Sequence, residues 1–95
     1  MVIRNINGTS DNKCKCLTWL DHWKKYSGRG IPTYCPTKEC MEKSEVGAHV
    51  QKEDINDNSW YIIPLCKKCN AKKGQSLTVS DTPLVSANVK ETCGS

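Results

Sequence analysis

The chain has 95 residues, a formal charge of +4, no Phe and a hydrophobic fraction of 37%. That is the length of one domain, with too little apolar content to build a large core unaided. Seven cysteines in so short a chain make cross-linking or metal ligation the first expectation, and no apolar run is long enough to span a membrane.

The start of the chain, Met1-Val2-Ile3-Arg4-Asn5-Ile6, has no apolar signal-peptide core. With an odd number of cysteines, this favours reduced thiols, metal ligation and a cytoplasmic setting over a disulfide scaffold. The mildly basic charge permits nucleic-acid binding without demanding it.

Residues 1–13 are polar and read as a loose arm, with a short strand at 2–6. Residues 14–34 form an N-terminal helix region. Within it Trp19, Leu20, Trp23 and Tyr26 recur at helical spacing, whereas Asp21, His22, Lys24 and Lys25 fall on the polar side. Thr18 and Asp21 stand three apart as a capping pair, and Gly28 and Gly30 stop the helix. The two tryptophans are expected in the core, and His22 is expected in solvent.

Ile31-Pro32-Thr33-Tyr34 is extended and delivers Cys35. Cys35-Pro36-Thr37-Lys38-Glu39-Cys40 is then a tight Cys-x4-Cys turn. Residues 44–51 alternate with period two. Val46, Ala48 and Val50 share one face, and His49 lies on the other. A polar loop leads to a second, antiparallel strand at 60–65. It ends in Cys66-Lys67-Lys68-Cys69-Asn70-Ala71-Lys72-Lys73-Gly74, read as a two-turn helix over 67–73 that Gly74 terminates. A short strand at 77–79 and an apolar return at 84–89 complete a C-terminal extension, residues 75–95.

Zinc prefers four ligands in a tetrahedron, with thiolates at about 2.3 Å. Cys35 and Cys40 from the turn, with Cys66 and Cys69 from the helix start, offer such a set for one structural zinc. The alternatives for these four are two disulfides or free buried thiols. Cys14, Cys16, His22 and Cys93 have the inventory of a second zinc site, or of a Cys93 cross-link tying the tail to the start. Lys67, Lys68, Lys72 and Lys73 cluster on two short turns as a candidate phosphate-binding edge.

Residues 35–74 resemble the HNH endonuclease domain, a ββα-metal core on a treble-clef zinc site. The motifs that carry the likeness are Gly47-Ala48-His49-Val50 and Ile63-Pro64-Leu65-Cys66-Lys67-Lys68-Cys69-Asn70-Ala71-Lys72-Lys73-Gly74. The resemblance implies a small α+β zinc-stabilised domain with an N-terminal helix added to that core. It implies His49 as general base, Asn70 as ligand to a catalytic Mg, Mn or Ni, Lys73 beside the scissile phosphate, and Asn58 in the role of the family's middle asparagine. The position before His49, usually a metal ligand in that family, is Ala48. The implied partner is nucleic acid, DNA in first place, for a monomer. The competing expectation is a non-catalytic zinc-stabilised module that binds nucleic acid or a protein.

Overall fold

A computed structural model describes residues 1–6, 18–38, 40–53, 59–72 and 74–87. Its elements in chain order are β1 (Val2–Asn5), α1 (Trp19–Ser27), β2 (Val46–Lys52), β3 (Tyr61–Leu65), α2 (Lys67–Asn70), β4 (Ser76–Thr78) and β5 (Val85–Ser86). The five strands make one sheet in the order β4-β1-β2-β3-β5, with every pairing antiparallel. The architecture is α+β. No helix among the described residues is long and apolar enough to cross a membrane.

Strand alternation gives the sheet two different faces. On one, Ile3, Ala48, Val50, Ile63, Leu65 and Leu77 pack with Cys35, Cys66 and Cys69. On the other, Ile62 and Val85 pack with Trp23, and Trp19 and Ile31 lean against them. We call these the cysteine face and the α1 face.

α1 forms where the periodicity places it. The Thr18 hydroxyl accepts from Asp21 N–H at 3.0 Å and donates to the Asp21 carboxylate at 3.1 Å, so the capping pair closes reciprocally. Gly28, in the left-handed region at φ 71°, ends the helix. The start of α1 lies directly on β2. A Cβ at Gly47 would stand 2.5 Å from the Trp19 carbonyl carbon and 2.6 Å from the Leu20 nitrogen, so only glycine admits this approach.

Three expectations are corrected. The strand expected at 2–6 forms at 2–5, but it lies inside the sheet between β2 and β4 rather than in a loose arm, with Ile3 and Asn5 fully buried. His22 is not solvated. It is fully buried, and its Nε2 donates to the Ser86 carbonyl at 2.8 Å, which fixes the proton on Nε2 because a carbonyl only accepts. Tyr26 is exposed; its ring lies against His22, and Lys25 reaches over it. The helix after Cys66 is a single turn rather than two. Gly74 still adopts a positive φ of 76°, but after an intervening turn.

Pro64 sits in β3 opposite Gly47. β5 pairs only with Tyr61 and Ile62, so Pro64 lies past its end, where a missing N–H breaks no ladder bond.

Candidate metal centre

Cys35 and Cys40 are brought together by a short hairpin-like knuckle. Tyr34 and Lys43 form an antiparallel bridge, Cys35 N–H donates to Glu42 C=O at 2.8 Å, and Cys40 N–H turns back onto Thr37 C=O at 3.0 Å. Pro36 suits the tight turn because its φ is fixed. The knuckle is fastened to the sheet by Lys38 N–H, which donates to Thr78 C=O at 2.7 Å.

The second pair comes from the end of β3. Cys66 is the N-cap of α2, and its sulfur accepts from Cys69 N–H at 3.3 Å. One helical turn therefore turns both sulfurs the same way, as the Cys-x-x-Cys spacing requires. The ligand atoms of Cys35, Cys40, Cys66 and Cys69 all lie within 4.8 Å of one another. Cys40 Sγ is 3.7 Å from Cys66 Sγ and 3.9 Å from Cys69 Sγ. A zinc tetrahedron with bonds of about 2.3 Å has edges of about 3.8 Å, so the sulfurs are already spaced for it. None of the four is in a disulfide, and all but Cys40 are buried.

The electrostatics of the cluster call for a cation. Burial pushes the Cys35 thiol up, but hydrogen bonds from Thr37 and from the backbone N–H groups of Cys66 and Thr37 outweigh it and hold Cys35 below the ordinary thiol value. At Cys40 the Glu42 backbone pulls the thiol down, yet desolvation together with the Cys66 and Cys35 thiols drives it up. Burial, reinforced by Cys66 and Cys35, pushes Cys69 up to about 12. Cys40 and Cys69 are thus held toward the neutral thiol while no positive charge is present, and Cys35 is not. A divalent soft-accepting ion reverses that balance, and an all-sulfur tetrahedral donor set suits zinc. Thr37, whose hydroxyl is 3.3 Å from Cys35 Sγ, is a contributor the sequence reading overlooked. Its place inside the Cys-x4-Cys turn was the available signal.

The other described candidate residues lie in different surroundings. His49 lies on the α1 face, its ring 4.7 Å from the Trp19 ring in an edge-on contact. Asn70 lies with α2 on the cysteine face, since its carbonyl accepts from Asn5, which is paired with Val50 on that side. Lys67 and Lys68 are exposed, but each is matched by a nearby acid, Glu45 at 3.4 Å and Glu42 at 3.3 Å. Lys72 is exposed. Asn58 and Lys73 lie outside the described residues, as do Cys14, Cys16 and Cys93. Their proposed companion His22 is held on the α1 face between Trp19 and Tyr26.

Comparison with protein-family models, with curated proteins and with solved structures finds no match for the chain.

Proposed function

We propose that the protein is a non-catalytic, zinc-stapled interaction module. Cys35, Cys40, Cys66 and Cys69 hold one structural zinc in the treble-clef order of knuckle, hairpin and ligand helix. The observation that carries this reading is the sulfur cluster itself. Four thiols from two distant segments lie within 4.8 Å of one another, with Cys40 at tetrahedral separations from Cys66 and Cys69. When bound, zinc supplies the charge that lets all four sulfurs ionise, and the chain's own residues set the geometry. The Cys66 N-cap orients one pair, and the Glu42 and Thr37 backbone bonds orient the other.

A hydrolytic reading needs a general base and a metal-binding helix side chain around one phosphate. His49 packs against Trp19 on the α1 face, the Asn70 carbonyl is held by Asn5 from the cysteine face, and the residue before His49 is Ala48, which cannot ligate a metal. Lys67 and Lys68 carry their own counter-ions in Glu45 and Glu42, which reduces the charge these two offer to phosphate. What the zinc holds out to solvent is the knuckle, where Tyr34 and Met41 are 55% and 78% exposed, the highest among the exposed large hydrophobic residues. Exposed aromatic and methionine side chains on a rigid support suit contact with another macromolecule.

Native mass spectrometry tests the staple. The full chain is expected to carry zinc, and Cys66→Ser with Cys69→Ser is expected to lower the count by one. An unchanged count would overturn the assignment. A plasmid incubated with the zinc-loaded protein and Mg, Mn or Ni is expected to remain intact. Nicking that disappears in His49→Ala would restore the hydrolytic reading.

A further inference from the structure

The four sulfurs are set by backbone that is itself held in place, and for α2 the holder is Asn5. A single helical turn cannot maintain itself, and its last carbonyls need partners. The Asn5 side-chain amide donates to the Cys69 carbonyl at 3.1 Å and to the Asn70 carbonyl at 2.7 Å. Its backbone N–H donates to Gln75 C=O at 3.0 Å, and its carbonyl accepts from Gly74 N–H at 2.6 Å. One residue of β1 therefore grips the chain at 69, 70, 74 and 75. It does so from the interior of the sheet, fully buried.

We propose that Asn5 is a positioning residue for the metal centre: by holding the Cys69 and Asn70 carbonyls it fixes the axis of α2, and so the direction of the Cys66 and Cys69 sulfurs. The assignment rests on the zinc reading of the four cysteines. The chemistry is specific to an amide donor. Both contacts use its NH2 group, while Oδ1 has no hydrogen-bond partner among the described residues. A buried polar side chain is costly unless its bonds matter, and here the bonds made go to the turn that carries two ligands. An apolar residue of similar size would fill the space, leave the Cys69 carbonyl with the Lys72 N–H and remove the Asn5 donor from the Asn70 carbonyl. Groups that orient metal ligands are worth about 10- to 100-fold in metal affinity.

The test uses Co(II) as a probe of the full chain, because its visible absorption reports both the ligand set and its geometry. Asn5→Leu is expected to weaken Co(II) and Zn(II) binding about 10- to 100-fold and to shift the Co(II) bands. Ile3→Val, which loosens β1 at the same sheet face without touching the amide, serves as control. It is expected to keep the wild-type bands and to change affinity much less. Wild-type bands in Asn5→Leu, with affinity no weaker than in Ile3→Val, would overturn the proposal. A variant that fails to fold does not end the test, since the wild-type protein gives a second reading. The Asn5 NH2 protons are expected to exchange slowly in zinc-loaded protein, and exchange as fast as in exposed asparagines would also overturn it. If the wild-type chain itself gives no thiolate–Co(II) absorption, the zinc assignment is what fails, and the role of Asn5 falls with it.

Discussion

The two faces of the sheet solve the same problem with different materials. The α1 face uses bulk. Trp23 is almost fully buried, packs on Ile62 and Val85, and satisfies its indole N–H on the Pro83 carbonyl at 2.8 Å. The cysteine face has no buried aromatic among its core residues, which are aliphatic side chains and thiols under a thin cover of knuckle and single-turn helix. Aromatic burial needs no cofactor. A layer of small side chains and loops that must stay ordered benefits from a cross-link, and a metal does that for segments too irregular to pack by themselves. The four-cysteine cluster thus lies on the face whose buried core is built without aromatic side chains.

Metal removal is the largest way to break this contrast. Structural zinc is worth about 10–16 kcal/mol of apparent binding energy in small domains, comparable with the whole stability of an ordinary one. A strong chelator is expected to unfold the chain in one transition, seen together by circular dichroism and tryptophan fluorescence, because both faces share the sheet. A buried Trp23 signal that survives chelation would show that the α1 face stands alone. Next in size, Trp23→Ala is expected to cost about 3–5 kcal/mol in denaturant unfolding of the zinc-loaded protein. A loss of only a few tenths would mean that the α1 face is not a second core. Gly47→Ala is expected to cost about 1–3 kcal/mol, since the added methyl meets the Trp19 and Leu20 backbone rather than a movable side chain. An unchanged midpoint would show that α1 rides more loosely on β2.

The smallest effect lies outside both faces. Arg4 holds Glu53 at 3.1 Å, and the hydrogen bond from Arg4 is the main cause that keeps the Glu53 carboxyl below its ordinary 4.5. The folded-state value is depressed. The pair's contribution is therefore complete above pH 4.5 and is lost as pH falls through the folded value. Exposure makes it slight. Glu53→Gln is expected to remove this small slope from the acid limb of the stability curve and to leave neutral stability almost unchanged, as read by denaturant midpoints across acidic pH.

What the sequence disclosed follows the range of the interactions involved. Thr18, Asp21 and Gly28 bound α1 by contacts within one or two turns, so their pattern reads directly. The Cys-x4-Cys and Cys-x-x-Cys spacings are local too, and they named the four clustered thiols. Burial of His22 was illegible because its partner, Ser86, is remote in sequence and belongs to a two-residue strand. The strand at 2–6 was legible, but its interior place was not, since its burial depends on β2 and β4 closing around it from both sides. The alternation that set His49 apart from Ala48 and Val50 was correct as read. That α2 would lie on the side away from His49 depended on the Asn5 amide, and no local pattern announces such a bond.

The His22 bond has a consequence for how copies of this chain meet. Ala87 N–H donates to Trp60 C=O, so the neighbouring Ser86 carbonyl points outward from the sheet. An outward row of strand carbonyls and amides is a template on which another molecule can add a strand, and the result is aggregation. Here the imidazole of His22 already occupies that carbonyl, and on the opposite border the knuckle bonds to Thr78. Both borders are thus engaged by the chain's own groups. Edge-to-edge association of the folded protein at these two carbonyls would first have to displace a buried histidine or unseat the cysteine knuckle.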